Sequence, residues 1–587
     1  MTPETDLPGV TSDNIPADSA KAAPEAASAP ARGGLPAGLL SRLPGSISDF
    51  EELRRRNRIY VDKTAYIYEI AVFNGPFILT RPANFGKTLL LSTLASLFSH
   101  GMEHFKGLSI DGHWRDTGDY QVLTLDFAAR FDSLKNLDAA VCAAIEDFAA
   151  KNGVDLASHG NGLHVPLTHR GPELIGNLLE NSKKQTVLLI DNFDAPLSVP
   201  GFGSEEVRAV SHYLTEFFTI VNNSIAHLRF LLVAGVMPVP LSDMFDVFRN
   251  YINLTLDSEN AALLGFTPEE TEKFMAPELN KAAEALGLPR KELLRLITRY
   301  YGGYRMTIDS PAEVINPRSL IRFLSRPEEG FQNYWPESGL SYASLAAGWL
   351  RSLSDDILGN ILEVLSGPYS LKESYGFIGT PPGSALYHAG YLAVRTIKNE
   401  LGRRRAVLTP PNLNATATLL NIYFTLVSEN PVSEADIADI ASGVRDGLMG
   451  GYPEALTAAL NRGLSQLSFG RESPFDKVSA LRDILYAILV LAGLEAERLP
   501  ESGESADLTA AYLKDGKVSR VLITAVPARS GDNPQELIAK AGERLDKTAF
   551  SEESWPFPQD RETAGPGAKL VLIVSPQEKR ITHAKLL

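Results

Sequence analysis

Residues 80–88 constrain the fold most, because an apolar run precedes them and a helix-forming stretch follows them. Residues 76–79 predict a strand, and residues 89–98 predict a helix. A strand, a short loop ending in Gly86-Lys87-Thr88 and a helix are together typical of a loop that binds phosphate. Arg81 stands where the usual pattern has its first glycine. A solvated Gly-Lys turn is therefore the alternative interpretation.

The residues at the end of this loop have the chemistry that a nucleotide requires. We expect Gly86 to let the main chain approach an anion, Lys87 to reach the β- and γ-phosphates, and the Thr88 hydroxyl to contact Mg²⁺. The N-terminus of the following helix adds partial positive charge at the same place.

A second pattern lies about a hundred residues downstream. Residues 186–190 are an apolar strand, and Asp191 follows at its end. Ligands of open α/β sheets collect at the carboxyl edge of the strands, so Asp191 is expected to face Mg²⁺ opposite Thr88. A buried strand that happens to end in an acid is the alternative. The two patterns together favour nucleotide binding.

Three segments carry a more specific resemblance: Tyr60-Val61-Asp62-Lys63-Thr64, Arg81-Pro82-x-x-Phe85-Gly86-Lys87-Thr88 and Leu189-Ile190-Asp191-x-Phe193-Asp194-x-Pro196. They resemble the AAA-ATPase-like family, in which a divergent P-loop ATPase domain is commonly followed by a PD-(D/E)XK nuclease-like domain. The resemblance implies ATP and Mg²⁺ as cofactors, with Thr88 and Asp191 as metal ligands. The residues it implies at the nucleotide are Arg81, Asn84, Phe85, Gly86, Lys87 and Thr88.

This sequence departs from the family pattern where hydrolysis would be catalysed. The family usually has Glu after the strand-end Asp, and Asn192 stands there instead. An amide can orient a water molecule, but it cannot accept its proton at neutral pH. Residues 231–238 are apolar and end in Pro238, where the family usually carries a polar residue and an Arg. The ligands for binding are thus better preserved than the groups for hydrolysis.

The predicted fold class is α/β with several units. Residues 44–257 are expected to form a P-loop NTPase core of three layers around a parallel sheet, because helical and strand patterns alternate there. Residues 258–335 predict a helical lid and 336–470 a mainly helical region with a hairpin turn at Arg403-Arg404-Arg405. Residues 1–36 contain few large apolar groups and predict a disordered tail.

Residues 471–587 resemble the α/β nuclease-like (restriction-endonuclease-like) domain of the family. Asp507 matches the metal-binding Asp of that domain, whereas Ile523 and Ala525 stand where the family has Glu and Lys. One carboxylate does not make a Mg²⁺ nuclease site. We therefore expect the nuclease fold without its catalysis.

Composition and charge indicate which classes of partner and which cellular environment to expect. The 587-residue chain has a net charge of −15, which disfavours broad electrostatic adhesion to nucleic acid. A single cysteine, Cys142, excludes internal disulfides, and no apolar run is long enough to predict a membrane span. A cytoplasmic location is expected.

Three functions fit the sequence. The first is an ATP-binding switch or scaffold with weak or no hydrolysis, coupled to an inactive nuclease-like domain that binds a protein partner. The second is an active ATPase in which Asp194 or another acid replaces the missing Glu. The third is a nucleic-acid-binding protein that uses the nuclease fold as a platform.

Overall fold

The computed structural model describes residues 42–587 except 129–132, 158–167, 199–203, 238–246, 256, 308, 311, 335–367, 370–381, 401–402, 428–433, 467–477, 500–506, 515–516, 548–567 and 579. The expected tail at 1–36 lies outside the described residues. Among the described residues, no helix has the length and apolar character needed to cross a membrane.

A five-stranded parallel sheet forms the centre of the N-terminal part. Its strand order is β2-β3-β4-β1-β5, and every neighbouring pair is parallel. β1 lies between β4 and β5, so the order of the strands in the sheet differs from their order in the chain, and parallel strands require crossover connections. The strands are β1 (Phe77–Thr80), β2 (Gln121–Asp126), β3 (Thr186–Asp191), β4 (Leu228–Gly235) and β5 (Ile252–Asn253).

Helices cover both faces of this sheet. Leu189 points to the face covered by Leu90 and Leu94, whereas its neighbours Leu188 and Ile190 point to the opposite face. Strands buried on both faces read as continuous apolar runs, which explains residues 186–190. One layer contains α1 (Phe50–Arg55), α2 (Thr64–Ala71) and α3 (Lys87–His100); the other contains α4 (Leu134–Asn152), α5 (Arg170–Asn181) and α6 (Ser204–Asn223). The predicted three-layer α/β core is confirmed.

Four helices follow as a separate small core. Thr267 begins the first of them with a capping box, in which its side chain accepts from the Glu270 amide and the Glu270 side chain accepts from the Thr267 amide. Asn316 caps the last by accepting from the Ser319 amide. The helices are α7 (Pro268–Phe274), α8 (Ala276–Leu286), α9 (Arg290–Tyr301) and α10 (Pro317–Ser325). We call them the lid.

The region predicted to be mainly helical also contains a small antiparallel sheet with the order β6-β8-β7. The predicted turn at Arg403-Arg404-Arg405 is wrong: these residues lie in a strand, with Arg403 paired to Glu400 across the hairpin. Predicted helical segments around 349 and 357–365 lie outside the described residues. The elements are β6 (Pro368–Tyr369), α11 (Pro382–Ala389), β7 (Ala393–Glu400), β8 (Arg403–Thr409), α12 (Leu413–Val427), α13 (Glu434–Gly450) and α14 (Pro453–Gln466).

A second five-stranded sheet ends the chain, with the order β13-β12-β11-β10-β9. Only the pair β11–β12 is parallel, because a helix connects these two strands, and the remaining pairs are antiparallel. The elements are α15 (Val478–Leu491), β9 (Glu495–Arg498), β10 (Leu508–Lys514), β11 (Lys517–Pro527), α16 (Pro534–Lys547), β12 (Ala568–Ser575) and β13 (Arg580–Leu586).

Candidate nucleotide-binding site

The loop between β1 and α3 turns sharply at two residues. Asn84 and Gly86 have φ angles of 63° and 103°. Glycine enters this left-handed region without strain, and asparagine tolerates it better than most residues do. A Cβ at Gly86 would meet only Leu264 Cδ2, at 3.9 Å. The backbone conformation, rather than a lack of space, therefore explains the glycine before α3.

The Lys87 ammonium lies inside this loop. It donates to the carbonyl oxygens of Arg81 and Pro82, at 2.9 Å each, and the residue is only 6% exposed. Burial lowers the pKa of Lys87 to about 8, while the negative charges of Asp191 and Asp194 act in the opposite direction. A buried ammonium held by neutral carbonyls gains stability when it meets an anion.

Thr88 and Asp191 meet at the carboxyl edge of the sheet. The Thr88 hydroxyl donates to Asp191 Oδ2 at 2.6 Å. Burial raises the pKa of Asp191, and the hydrogen bond from Thr88 and the charge of Lys87 oppose that rise. Hydroxyl and carboxylate oxygens are ligands that Mg²⁺ prefers. The two predicted metal ligands are thus side by side, and their donor set fits Mg²⁺.

Asn192, where the family usually has Glu, faces a second carboxylate. Its Nδ2 donates to Asp126 Oδ1 at 2.9 Å, and its main-chain amide donates to Asp191 Oδ1 at 3.0 Å. Its φ angle is 54°, again in the region that suits asparagine. An amide here can donate to Asp126, whereas a glutamate would add a third negative charge beside two others.

Asp194, the predicted substitute for the missing Glu, is fully buried. Its two carboxylate oxygens accept from the amides of Val236 and Met237, at 3.0 and 2.7 Å. This carboxylate therefore fixes the segment after β4. Its commitment to two main-chain donors disfavours a role in activating water.

Arg81 is placed differently from the rest of the loop. Its buried guanidinium donates to main-chain oxygens at the end of β1 and after β5, including those of Thr80 at 3.0 Å and Thr255 at 2.6 Å. Burial lowers its pKa to about 10. Arg81 does not line the cavity above the loop, although residues 83–88 do. The side chain supports the loop from behind.

A cavity of about 430 Å³ opens over the loop. Phe85 forms part of its wall, but the ring is 1% exposed and packs edge-on against Tyr304, with centroids 4.9 Å apart. The other walls come from the segment before α1, the segment before the lid, and the start of α10. Apolar walls with a few convergent polar groups are typical of small-molecule sites. The lining includes Gly45, Ser46, Ile47, Asn84, Lys87, Thr88, Asn192, Leu264, Pro317 and Arg318.

Two basic residues at this cavity, Lys63 and Arg318, were not predicted as site residues. Lys63 donates to Glu270 of the lid, at 2.5 and 2.7 Å, and to the Ala262 carbonyl at 2.7 Å. Burial lowers the pKa of Lys63, and the charge of Glu270 opposes this. Arg318 lies at the first turn of α10 and lines the cavity. The sequence signal that could have indicated Arg318 is Asn316-Pro317, because an N-cap residue followed by Pro places the next residue in the first turn of a helix.

A comparison with a protein-family model agrees with this geometry. Residues 44–245 match the model of the AAA-ATPase-like family, described as a predicted AAA-ATPase. This segment contains the loop, the strand-end acid and all but the last strand of the parallel sheet. Residues 44–245 are therefore similar to a predicted AAA-ATPase.

Two individual proteins are similar to larger parts of the chain. A protein of Azotobacter chroococcum mcd 1, described as an uncharacterized protein in the vnfD 5′ region, is 27% identical over 386 residues, which cover 64% of this chain and 69% of that protein. A STAND protein (signal transduction ATPase with numerous domains) with a tetratricopeptide repeat sensor, from Pyrococcus horikoshii, aligns with 74% of this chain at 12% identity and a TM-score of 0.23. The alignment spans about half, 52%, of that structure.

Proposed function

We propose that this protein is an ATP-binding switch, in which the bound nucleotide acts through the lid on the C-terminal domain. The observation that carries the proposal is the contact of Thr88 with Asp191 at 2.6 Å, beside the buried ammonium of Lys87. These are the groups that contact a nucleotide and its metal ion in P-loop sites. When bound, Mg²⁺ would neutralise phosphate charge.

Slow hydrolysis is part of the proposal. Asn192 offers no carboxylate, and Asp194 is committed to two main-chain amides. Loss of a positioned base costs on the order of 10²–10⁴ in rate. The main alternative is an active ATPase. It is favoured by one observation, the contact that brings Asp126 to Asn192 at 2.9 Å.

Single-turnover hydrolysis with excess protein over labelled ATP separates the two functions. We expect a rate well below about 1 per second, the lower end of ordinary enzyme turnover. A faster reaction that disappears in both Lys87→Ala and Asp126→Asn would contradict the switch and establish Asp126 as the acid. Asn192→Asp is the matched variant, because it adds a carboxylate without lengthening the side chain.

The C-terminal domain is proposed as a surface for a protein partner rather than as a nuclease. Ile523 and Ala525, at the positions of the family Glu and Lys, are 2% and 6% exposed and pack in the core. Asp507 is held by protein donors, the Thr524 hydroxyl at 2.7 Å and the Ala525 amide at 2.8 Å. Among the described residues, these contacts leave little of Asp507 for a metal ion.

One segment touches both the nucleotide loop and the C-terminal half. Tyr304 packs against Phe85 of the loop. Two residues earlier, the Gly302 carbonyl accepts from Asn412 Nδ2 at 2.7 Å, and a Cβ at Gly303 would lie 2.2 Å from the Pro411 oxygen. The close approach explains why glycine stands at 303. A shift of Phe85 on nucleotide binding would therefore displace residues 411–412, just before α12.

The lid helix α9 reaches the C-terminal domain directly. Arg295 binds Glu292 on its own helix and Glu495 at the start of β9, at 2.6 and 3.3 Å. The Tyr300 hydroxyl donates to the Gly493 carbonyl at 2.6 Å. Burial raises the pKa of Glu495, and the charge of Arg295 opposes this. Breaking an ion pair whose carboxylate is buried is costly, so α9 and β9 are expected to move together.

Hydrogen–deuterium exchange with and without MgATP tests this coupling. In the wild type we expect changed exchange at 293–304 and also at 493–499, far from the loop in sequence. The distant change should vanish in Lys87→Ala and shrink in Tyr300→Phe, which loses the hydroxyl but keeps the ring. Tight MgATP binding without any change at 493–499 would refute the switch.

A further inference from the structure

A group of metal-ligating side chains lies at the opposite end of α3 from Lys87. It consists of Glu51 on α1, His100 as the last residue of α3, and His104 in the turn that follows. His100 Nδ1 lies 2.7 Å from Glu51 Oε1, and His104 Nε2 lies 3.6 Å from Glu51 Oε2. The candidate ligand atoms of the three residues all lie within 4.8 Å of one another.

The local structure holds this group together. Gly101 ends α3 with a φ angle of 57°, and the turns after it bring His104 back towards His100. Arg54 on α1 donates to the carbonyl oxygens of His104 and Lys106, at 3.0 and 2.7 Å. These bonds fix the turn against the helix that carries Glu51. The arrangement therefore does not depend on the contacts of the three side chains alone.

We propose that Glu51, His100 and His104 bind one zinc-like divalent transition metal ion. Two imidazoles and one carboxylate are a ligand set that zinc uses with its fourth position open, and imidazole favours such ions over Mg²⁺. Ligand atoms around tetrahedral zinc lie about 3.3 Å apart, so the 2.7 Å contact of His100 with Glu51 opens slightly on binding.

Some charges near Glu51, His100 and His104 favour a bound cation, and others oppose it. The carbonyl end of α3 carries partial negative charge and favours a cation. The guanidinium of Arg54 is positive and opposes it, although its donors are committed to main-chain oxygens. The Glu51 carboxylate balances one positive charge. The result is a site for a divalent ion with moderate affinity.

The metal would join α1 to the end of the helix that starts at the nucleotide loop. About 20 Å of helix separates Lys87 from His100, so this ion is distinct from the Mg²⁺ of the nucleotide. α1 also follows the segment 45–48, which lines the cavity. A metal here would fasten one wall of that cavity to the far end of α3.

Zinc competition against a chromogenic chelator, with the full-length protein first stripped by a stronger chelator, tests the site. The wild type is expected to take up one equivalent of Zn²⁺, and excess Mg²⁺ should not displace it. Co²⁺ should give the visible absorption of a low-coordinate N/O site. His100→Gln and His104→Gln should each weaken uptake at least tenfold, since even outer-shell changes cost about 10–100-fold.

His212→Gln is the matched control. His212 and His169 approach Glu216 at 3.4 and 2.6 Å, a second group of two histidines and a glutamate in the same chain. That variant and Lys87→Ala should keep wild-type zinc affinity, the latter because the site is independent of nucleotide. The proposal would be overturned if the wild type took up no zinc. It would also be overturned if His100→Gln and Glu51→Gln both bound zinc as tightly as the wild type does.

Discussion

The two sheets of this protein each place an aspartate beside a strand end, and the neighbours of the two carboxylates differ. Asp191 accepts from the Thr88 hydroxyl and lies near Lys87, and both of these neighbours line a cavity of about 430 Å³. Asp507 meets Thr524, the Ala525 amide and the guanidinium of Arg544. The neighbours of Asp191 line space for a ligand, whereas the neighbours of Asp507 include a protein cation, Arg544.

Under the proposed function, this difference makes Asp191 a ligand of the bound metal ion and Asp507 a structural support. An acid whose cation partner belongs to the protein keeps its charge satisfied without a metal ion. An acid whose burial raises its pKa, as burial does for Asp191, gains from an added cation. Removal of Asp191 should therefore affect ligand binding, and removal of Asp507 should affect stability.

The largest expected effect is the loss of nucleotide binding in Lys87→Ala. MgATP at a hundredfold excess over its dissociation constant should stabilise the wild type by about 2.7 kcal/mol. The variant should lose this stabilisation because the phosphates lose their buried ammonium. Thermal unfolding with and without MgATP measures it, with Lys63→Ala as a control at the same cavity. An equal shift in Lys87→Ala would contradict the site.

The core of the NTPase part could be predicted from the sequence, because its signals are local. Gly86-Lys87-Thr88 after a strand, and Asp191 at the end of another, predict these elements, and the structure brings Thr88 and Asp191 together. The role of Arg81 could not be predicted in this way. Its partners at Thr255 and Asn260 are more than 170 residues away in sequence and depend on the position of β5 beside β1.

Contacts between separate elements also explain why the strand at Arg403 and the role of Asp507 could not be predicted. A turn is predicted at Arg403-Arg404-Arg405 because these residues stand between two apolar strand patterns, but pairing with β7 extends the strand through them. Asp507 was predicted to be a lone remnant of a metal site. Its partner Arg544 lies 37 residues away on α16 and carries no sequence signal of its own.

A smaller effect is expected when Asp507 is removed. Asp507→Ala leaves the Thr524 hydroxyl, the Ala525 amide and Arg544 without this acceptor, which should lower the free energy of unfolding by about 1–3 kcal/mol. Asp507→Asn keeps an acceptor and should cost less. Urea unfolding measures both, and Asp191→Ala should change the ligand-free stability by a smaller amount. Metal-dependent cleavage of DNA or RNA that disappears in Asp507→Ala would show that Asp507 is a metal ligand and not a structural support.

The smallest expected effect is the pH dependence of nucleotide affinity. Lys87 has a pKa lowered to about 8 in the ligand-free protein, and contact with phosphate restores its charge. Binding therefore takes up a proton above pH 8, and MgATP affinity should fall about tenfold between pH 7 and pH 9. The contribution of Lys87 to the stability of the ligand-free protein changes in the opposite direction and becomes more favourable as pH rises. The unfolded chain binds this proton up to about pH 10.4, so Lys87 destabilises the fold less as pH rises through 8.

Calorimetry in two buffers of different ionisation enthalpy measures this proton directly. Uptake should be close to zero at pH 7, about half a proton at pH 8, and close to one at pH 9. Lys87→Arg is the matched variant, because a guanidinium stays charged across this range and should remove the uptake while keeping an anion partner. Uptake that persists in Lys87→Arg would assign the proton to another group. If the MgATP affinity of the wild type did not change with pH, Lys87 would be fully charged in the ligand-free protein. Nucleotide binding would then stabilise Lys87 less than the burial of its ammonium indicates.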